Sequence, residues 1–529
     1  MNFAERPGRI GPRRDPGGRP VGVRALPMRP RTTVRIEGAL VRPDVPGPPD
    51  GGTESLFSFD DCPRSMSSLR DAESDLERAL RRLEARTSYA EVMAEISSGH
   101  RLSLDREAVS PSPLPYLEGA VFRAWNGVSW VEAAASGLSA HAFAGSIEQM
   151  LSRLPATRSG DPVPGPSAEG RQERTTPERR PLADFGVEDR IAWARTCFGW
   201  ATSVTGIENA FVNVATQHDE RLFLSTAGAY RYQRISRALG SVAALAIEGG
   251  KVEFDHVQAG RTGGTEGLDG ITETDVVLAA REARALLTAK EPPIGPTAVI
   301  LDPSTSGTFA HESFGHGTEA DQLLRERSYL APLLGKEVGP ETLTLVDDGS
   351  LDGGWGSIFF DDEGNPSHRT VLVDHGRFVE VLHDRVSAAA LHRPPSGNAR
   401  RADFLSRPFV RMTNTFVEPG DRTLDELVSE VKDGVLMQNF TSGIEDPLGG
   451  NMQLKVKKGR RIVRGELGEI LPSMALSGKV LEFLRNIRGV SRASDFSLHA
   501  GFCGKGHTDI LPTGAGGPYV LSRAVVGPA

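Results

Sequence analysis

The spacing of hydrophobic residues along the chain predicts three helices in its N-terminal half. Leucines recur at helical intervals from residue 69 to residue 83, behind a serine cap and an acidic first turn. A second helical pattern covers residues 141–154, and a third covers residues 273–290. The third helix is expected to stop before Pro292-Pro293, because proline cannot continue the helical hydrogen-bond ladder.

Short apolar runs separated by turn residues predict strands on both sides of that point. In the C-terminal part we expect two hairpins, one turning at Asp374-His375-Gly376 and one at Lys458-Gly459, and a helix over residues 473–487. This mixture of helices and short strands indicates an α+β fold class. The other predicted strands cover residues 89–96, 101–105, 119–125, 129–135, 210–214, 221–226, 241–247 and 297–301.

Composition divides the chain into a tail and two domains. Residues 1–65 are rich in Arg, Pro and Gly and poor in apolar side chains, so we expect a disordered tail, with Met66 as a plausible alternative start. Residues 66–292 are expected to form an N-terminal α/β domain, interrupted by a polar linker or loop at 155–182. Residues 293–529 are expected to form a β-rich domain.

Charge and cysteine content exclude several classes of protein. The formal net charge is −8, made up of about +5 in the first 50 residues and about −13 in the rest, which argues against bulk electrostatic binding of nucleic acid. Three widely spaced cysteines exclude a disulfide scaffold. No apolar run approaches the ~20 residues that span a bilayer. We therefore expect a cytoplasmic protein that binds neither nucleic acid nor membrane.

Two histidines and a glutamate form the strongest chemical motif, His311-Glu312-Ser313-Phe314-Gly315-His316. In zinc hydrolases the familiar pair of histidines is four residues apart on one helical face, whereas here the spacing is five. Five residues of a regular α-helix leave the imidazoles about 140° apart. Either a π-bulge absorbs the extra residue, or the helix ends at Gly315 and His316 lies on the next turn. The alternative is that both histidines are ordinary polar residues.

A zinc site needs a third protein ligand and gains from carboxylates that orient its histidines. Glu319 and Asp321 follow the motif closely enough to serve as such carboxylates, or they are simply polar residues of an exposed helix. Among the possible third ligands, Cys503 lies in a glycine-flanked loop, where Lys505 could lower the pKa of its thiol. The alternative for this thiol is a buried structural role. The candidate third ligands are Cys503, His499, His507, His375 and His383.

Three segments in the same order resemble the TldD/PmbA family of metallopeptidases. Residues 311–321 match the H-E-x-x-x-H-G-x-E-x-D signature of that family. Residues 397–401, followed by 408–415, are similar to a second family segment, and Cys503-Gly504-Lys505 is similar to its C-terminal cysteine loop. The resemblance extends from about Met66 to the end of the chain.

The resemblance implies a catalytic, TldD-like member that retains its metal. His311, His316 and Cys503 would be the ligands of one Zn²⁺ per chain, and Glu312 would be the general base that takes a proton from the metal-bound water. It also implies an N-terminal α/β layer followed by a β-rich catalytic domain that carries the HExxxH helix. Substrates would be unfolded or small peptides, and the partner would be a PmbA-like subunit or a second copy of the chain.

Several roles stay open at this stage. Arg400, Arg401 and Arg411 either grip peptide carboxylates or form structural salt bridges. His507 departs from the family pattern and could act as a competing ligand. A fourth protein ligand, such as His507 or His499, would make the site structural and the chain a non-catalytic scaffold or regulatory subunit. A leader-trimming protease of peptide maturation is a further alternative.

Overall fold

The computed structural model describes residues 68–155, 165, 168–505 and 510–529. The predicted tail at 1–65, the alternative start at Met66 and the candidate ligand His507 lie outside the described residues. Among the described helices, none is long and apolar enough to cross a membrane.

The N-terminal half forms one large sheet covered by four helices. The helices are α1 (Leu69–Glu84), α2 (Ala140–Arg153), α3 (Val187–Thr202) and α4 (Glu273–Leu286). The strands are β1 (Ala90–Leu104), β2 (Val109–Pro113), β3 (Leu117–Trp125), β4 (Trp130–Ser136), β5 (Gly170–Thr175), β6 (Ile207–Ser225), β7 (Ala229–Glu248) and β8 (Lys251–Thr262).

This sheet has the order β4-β3-β1-β6-β7-β5, with β2 added beside β1 and β8 beside β7. Two apolar cores lie on this sheet. Each forms where the buried apolar stripes of two helices pack against the strands. Helices α1 and α2 cover one core over β1, β3 and β4, while α3 and α4 cover the other over β6 and β7. The predicted helices at both ends of this half are confirmed, and α4 ends at Leu286, a few residues earlier than expected.

Three features of this half differ from the sequence-based expectation. The strands predicted separately at 89–96 and 101–105 form a single strand, β1, and 210–214 and 221–226 likewise form β6. Helix α3 was not predicted, because its buried face is built largely of small residues. Part of the expected linker at 155–182 is β5, an exposed strand parallel to β7.

The C-terminal half is mainly β-structure with short helices. The helices are α5 (Pro303–Thr308), α6 (Ala320–Leu323), α7 (Arg385–Leu391), α8 (Leu424–Glu430) and α9 (Val480–Arg485). The strands are β9 (Gly295–Leu301), β10 (Leu345–Asp348), β11 (Arg369–Asp374), β12 (Arg377–Phe378), β13 (Ala399–Arg400), β14 (Phe409–Val410), β15 (Asn414–Val417), β16 (Asp433–Glu445), β17 (Asn451–Val463), β18 (Glu466–Leu471), β19 (Met474–Lys479), β20 (Gly489–Val490), β21 (Ser497–Cys503), β22 (Leu511–Gly517) and β23 (Val520–Pro528).

Two sheets of this half enclose its main core. In the first sheet each strand pairs with the next one in the order β16-β9-β23-β19-β17. Strand β17 also pairs with β16, so these five strands close into a ring. A second sheet has the order β12-β11-β10-β15-β22-β21, which makes β21 an edge strand. The segment that follows β9 packs between these two sheets, because α5 contacts β16 as well as β15, β21 and β22. The α+β class is confirmed.

The hairpin prediction at Asp374-His375-Gly376 is confirmed, since β11 and β12 pair around it. The hairpin predicted at Lys458-Gly459 is wrong, because β17 runs straight through both residues and the chain turns at Arg464-Gly465. The helix predicted over 473–487 is shorter than expected, because its first residues belong to β19.

A buried group of ion pairs joins the two halves. Arg123 on β3 contacts Glu91 at 2.8 Å and Glu363 at 2.9 Å, and Arg385 contacts the same two carboxylates from the C-terminal half. All four side chains are at most 7% exposed. The described residues belong to a single packed unit, and the domain boundary at residue 292 stays a prediction.

Candidate metal centre

The histidine motif lies on a helix that changes its hydrogen-bonding pattern at the motif itself. Asp302 caps the helix by accepting a hydrogen bond of 2.8 Å from the N–H of Thr305, and Pro303 occupies its first turn. The α-helical part ends at Thr308, and Phe309–Gly315 is π-helical.

Within the π-helical turn, the N–H of His316 donates to the carbonyl of His311, a bond that spans five residues. This wider turn brings the two imidazoles to the same side, with 5.1 Å between their ring centroids. A 3₁₀ turn then begins at His316. Both ways out of the spacing problem are therefore used: a π-turn absorbs the extra residue, and the helix changes its form after Gly315.

Cys503 reaches the same place from the end of the edge strand β21. Its Sγ lies 3.3 Å from Nε2 of His316. One ligand atom from each of His311, His316 and Cys503 can be chosen so that all three lie within 4.8 Å of one another. Nδ1 of His311 is buried and has no hydrogen-bond partner among the described residues. The structure thus brings together the three residues that the family resemblance names as ligands.

The donor set suits a borderline-soft divalent ion. Although burial alone would raise it, the pKa of the Cys503 thiol is lowered to about 4 by the adjacent His311 and His316. Burial opposes the charged form of His316, but contact with Cys503 and Glu319 holds the pKa of its imidazole well above the usual range. Two imidazoles and a thiolate are ligands that zinc prefers, so these residues fit such an ion.

Glu312 lies beside the two histidines with its carboxylate partly open. Its Oε2 is 3.8 Å from Nε2 of His316, and 30% of its side chain is exposed. A methyl group built on Gly443 would lie 3.4 Å from Cγ of Glu312, so the neighbouring strand β16 runs alongside this side chain. This carboxylate can therefore meet a molecule that enters from solvent.

Glu319 is placed to orient His316, whereas Asp321 acts one contact further away. Oε2 of Glu319 lies 3.6 Å from Nδ1 of His316 and 2.9 Å from Nζ of Lys505. Burial alone would raise the pKa of Glu319, but Lys505 and His316 lower it to about 2. Asp321 bonds Lys505 at 2.8 Å. The ammonium of Lys505 thus contacts carboxylates, and the two histidines are the main cause of the lowered pKa of Cys503; an effect of Lys505 on this thiol stays a prediction.

The three predicted arginines are buried and bind main-chain carbonyls. Arg400 donates to Met412 at 2.6 Å and to Pro512 at 2.8 Å, and Arg411 donates to the carbonyl of Cys503. Arg401 donates to Ser406 and to Glu132, away from the histidines. At most 4% of each residue is exposed, and the hydrogen-bond partners named here belong to the chain itself.

The other candidate histidines lie elsewhere. His375 is exposed in the β11–β12 turn beside Asp374, and His383 is buried 3.5 Å from Glu380. His499 belongs to β21 but is not among the residues whose ligand atoms converge. His507 lies outside the described residues.

Sequence reasoning missed two residues beside the motif. Glu445 ends β16, and burial raises the pKa of its carboxyl to about 8; nearby Glu312 and Glu319 act in the same direction, while His316 opposes them. Tyr329 donates from its hydroxyl to the carbonyl of Ser313 at 2.7 Å. Neither residue belongs to a motif. The pairing of β16 with β17 brings Glu445 to this place, and the turn that follows α6 brings Tyr329.

Comparisons with known proteins identify two matching domain models and several relatives of this chain. Residues 294–526 match the model of the PmbA/TldA metallopeptidase C-terminal domain, and residues 180–290 match that of the PmbA/TldA central domain. A metalloprotease of Methanothermobacter thermautotrophicus is 37% identical over 332 residues, which cover 62% of this chain and 71% of the relative. A protein named zinc metalloprotease TldD homolog, from Saccharolobus solfataricus, is 32% identical over 47% of this chain and 56% of its own length.

Solved structures share the fold at low identity. The crystal structure of TldE from Thermococcus kodakarensis superposes with a TM-score of 0.69 at 18% identity, covering 86% of this chain and 100% of that chain. The matched models and the identity of the relatives together show that this chain belongs to the PmbA/TldD family of metallopeptidases.

Proposed function

We propose that this protein is a zinc-dependent peptidase that hydrolyses unfolded or small peptides. The observation that carries the proposal is the convergence of His311, His316 and Cys503, whose ligand atoms lie within 4.8 Å of one another. Two imidazoles and one thiolate would hold the ion with three protein ligands, which is the number found in catalytic zinc sites, where the remaining position serves water or substrate. The proposal includes one Zn²⁺ per chain.

In this mechanism His311, His316 and Cys503 would hold the ion. Bound zinc supplies a lowered pKa for water and polarisation of a carbonyl oxygen. Glu312 accepts the proton of the attacking water and returns it to the leaving amine, which is general base and then general acid catalysis. Glu319 fixes the orientation of His316 through the contact of 3.6 Å with its Nδ1.

The scaffold alternative receives less support from the described residues. A closed structural site needs a fourth protein ligand, and His499, the candidate for that position that lies among the described residues, is not part of the converging group. The partly exposed carboxylate of Glu312 also favours catalysis, because a purely structural site has no use for a general base that faces solvent. A leader-trimming role shares this chemistry, and profiling of cleaved peptides separates it from general degradation.

We also propose that the chain works with a PmbA-like subunit or with a second copy of itself. The support is the fold shared with TldE of Thermococcus kodakarensis, which covers 86% of this chain. Light scattering of the purified chain, alone and mixed with a PmbA-like chain from the same genome, measures the mass of any complex. A monomer under both conditions contradicts this part of the proposal.

The Glu312→Gln variant tests the catalytic role. We expect it to keep its zinc and to lose about 10²- to 10⁴-fold in peptide hydrolysis, because the amide cannot accept the proton. Peptide cleavage is measured by mass spectrometry and zinc by elemental analysis, with the exposed Glu337→Gln as the matched control. A Glu312→Gln variant with full zinc and full activity contradicts the proposal.

A further inference from the structure

Three consecutive residues, Val410, Arg411 and Met412, contact both elements that carry the candidate ligands. The carbonyl of Val410 accepts a bond of 2.9 Å from Lys505, which follows Cys503 in the chain by two residues. The guanidinium of Arg411 donates to the carbonyl of Cys503 itself. On the other side, a methyl group built on Gly315 would lie 2.2 Å from Sδ of Met412, so this sulfur packs directly on the backbone between the two histidines.

The bond from Arg411 acts at the end of β21. Cys503 pairs with Leu511 in the last register position of the β21–β22 hairpin, and β21 is an edge strand without a second partner strand in its sheet. An edge strand has main-chain partners on one side only, so a side-chain donor to the carbonyl of Cys503 adds a second restraint at this strand end. Arg400 holds the opposite strand, since its guanidinium donates to the carbonyl of Pro512 at 2.8 Å.

The 410–412 segment is itself fixed from behind. The N–H of Arg411 donates to the carbonyl of Asn398 at 2.9 Å, and Nδ2 of Asn398 donates to the carbonyl of Arg411 at 3.0 Å and to Asp347 at 2.9 Å. Asp347 also accepts a bond of 2.9 Å from the N–H of Thr413. All of these residues are buried, so the segment offers a rigid reference for both ligand-bearing elements.

From these contacts we propose that Arg411 is a positioning residue that sets the distance between Cys503 and the two histidines. This role of Arg411 rests on the proposed metal site and explains what fixes the distances between the ligands of that site. Without the guanidinium, the carbonyl of Cys503 loses a buried donor, and the strand end that carries the thiol is released from the segment that packs on Gly315. The two histidines keep their own helical turn, so the change falls on the bond between metal and sulfur.

The test compares metal binding by the full chain and by the variants Arg411→Lys and Arg411→Met. Cobalt(II) is the probe, because its charge-transfer absorption with a thiolate reports the metal–sulfur bond directly, and competition with a chelating dye gives the affinities for Co²⁺ and Zn²⁺. We expect metal binding about ten- to a hundredfold weaker in Arg411→Met, with a reduced thiolate band. Arg411→Lys keeps the charge and one donor, so we expect an intermediate loss.

Arg401 offers a matched control, because it is the same residue type, is 1% exposed and also donates to a main-chain carbonyl, that of Ser406 at 2.6 Å. Arg401→Lys and Arg401→Met should keep the cobalt–thiolate band and the metal affinity of the wild type. Circular dichroism establishes which variants are folded. If Arg411→Met does not fold, Arg411→Lys decides the question by the same two measurements.

The outcomes separate this inference from the function on which it rests. A wild-type chain that binds Co²⁺ without a thiolate band contradicts the proposed metal site itself. A wild-type chain with the band, together with folded Arg411 variants that keep its full intensity and affinity, contradicts only the role of Arg411. An equal loss in the Arg401 variants also contradicts it, because general destabilisation would then be the cause.

Discussion

Nε2 of His316 lies 3.3 Å from Sγ of Cys503, although 187 residues of chain separate them. The first residue belongs to a helical segment between two sheets, and the second ends an edge strand. Because the partners come from different elements, the site exists only when the C-terminal half is folded. Binding of a metal there would in turn stabilise this half, since the ion binds the folded chain preferentially.

The Cys503→Ala variant should lose its metal. Two imidazoles alone hold zinc much less tightly than two imidazoles and a thiolate, so we expect the zinc content to fall from about one per chain to a small fraction. Elemental analysis after dialysis measures it. Cys197→Ala is the control, because Cys197 is buried in α3, where burial raises the pKa of its thiol to about 12. Full zinc occupancy in Cys503→Ala would show that this assignment is wrong.

The Gly315→Ala variant should disturb the π-turn. The added methyl group would lie 2.2 Å from Sδ of Met412, so the histidine turn or the 410–412 segment has to shift. We expect about 1–3 kcal/mol of destabilisation, as for other overpacked cores, together with weaker metal binding. Chemical denaturation and metal titration measure the two effects.

Gly199→Ala is the control for that substitution. Gly199 lies in α3, and apart from the neighbouring residues and backbone of its own helix no described atom would lie within 4 Å of an added methyl group, so alanine there should stabilise the protein by about 0.5–1 kcal/mol. The double variant Gly315→Ala/Met412→Ala should show a favourable coupling, because removing the sulfur relieves the clash. Strict additivity of the two single changes would contradict the contact.

The Arg385→Met variant should weaken the junction between the two halves. The substitution leaves Glu91 and Glu363 buried, and of the two arginines in this group Arg123 still contacts them. Breaking a buried ion pair costs about 3–5 kcal/mol. Urea denaturation gives the loss in free energy of unfolding. Lys290→Met breaks an exposed pair with Glu469 and should cost much less, because solvent screens the attraction between exposed charges. Equal costs for both variants would contradict a stabilising role of the buried group.

Glu266 should contribute a pH-dependent part of the stability. Burial opposes its ionised form, but the backbone N–H groups of Gly264, Arg179 and Arg180 donate to its carboxylate and lower its pKa to about 2. Because the folded pKa lies below the unfolded value of 4.5, this contribution is complete above pH 4.5 and is lost as the pH falls towards about 2.

Glu266→Gln tests this, because the amide does not titrate. We expect the free energy of unfolding to be lower than that of the wild type by about 1.5–3 kcal/mol above pH 4.5, as for hydrogen bonds to a charged group. The difference should shrink as the pH falls below that value. Denaturation curves at a series of pH values measure it, and a difference that does not change with pH would contradict the proposed ionisation.

Local sequence determined three helices of the N-terminal half and the hairpin turn at Asp374-His375-Gly376. Helix α1 begins where Ser68 caps it with the predicted acidic first turn, and α4 is capped by Thr272. The five-residue histidine spacing also carried real information, since a regular helix cannot use it and a π-turn can. Capping, periodicity and turn chemistry act over a few residues, so they can be recognised in the printed sequence.

The wrong hairpin prediction at Lys458-Gly459 has a cause in the tertiary structure. Lys458-Gly459 has the composition of a turn, but Lys458 forms buried ion pairs with Asp255 and Glu282 from the other half. A methyl group on Gly459 would lie 2.5 Å from the carbonyl of Leu436, so this glycine permits close approach of strands rather than a turn. These contact partners are remote in the chain, so no local sequence pattern indicates them.

The metal centre combines both kinds of information. The histidines and Glu312 could be recognised from their motif, and among five candidate third ligands Cys503 was favoured by its glycine-flanked loop and by the family resemblance. The tertiary structure, and not the local sequence, brings the end of β21 to the π-turn. It also shows that Arg400 and Arg411 are buried and donate hydrogen bonds to main-chain carbonyls. The physical reason is that a ligand set needs distances of a few ångströms between remote segments, which packing decides and residue spacing alone does not.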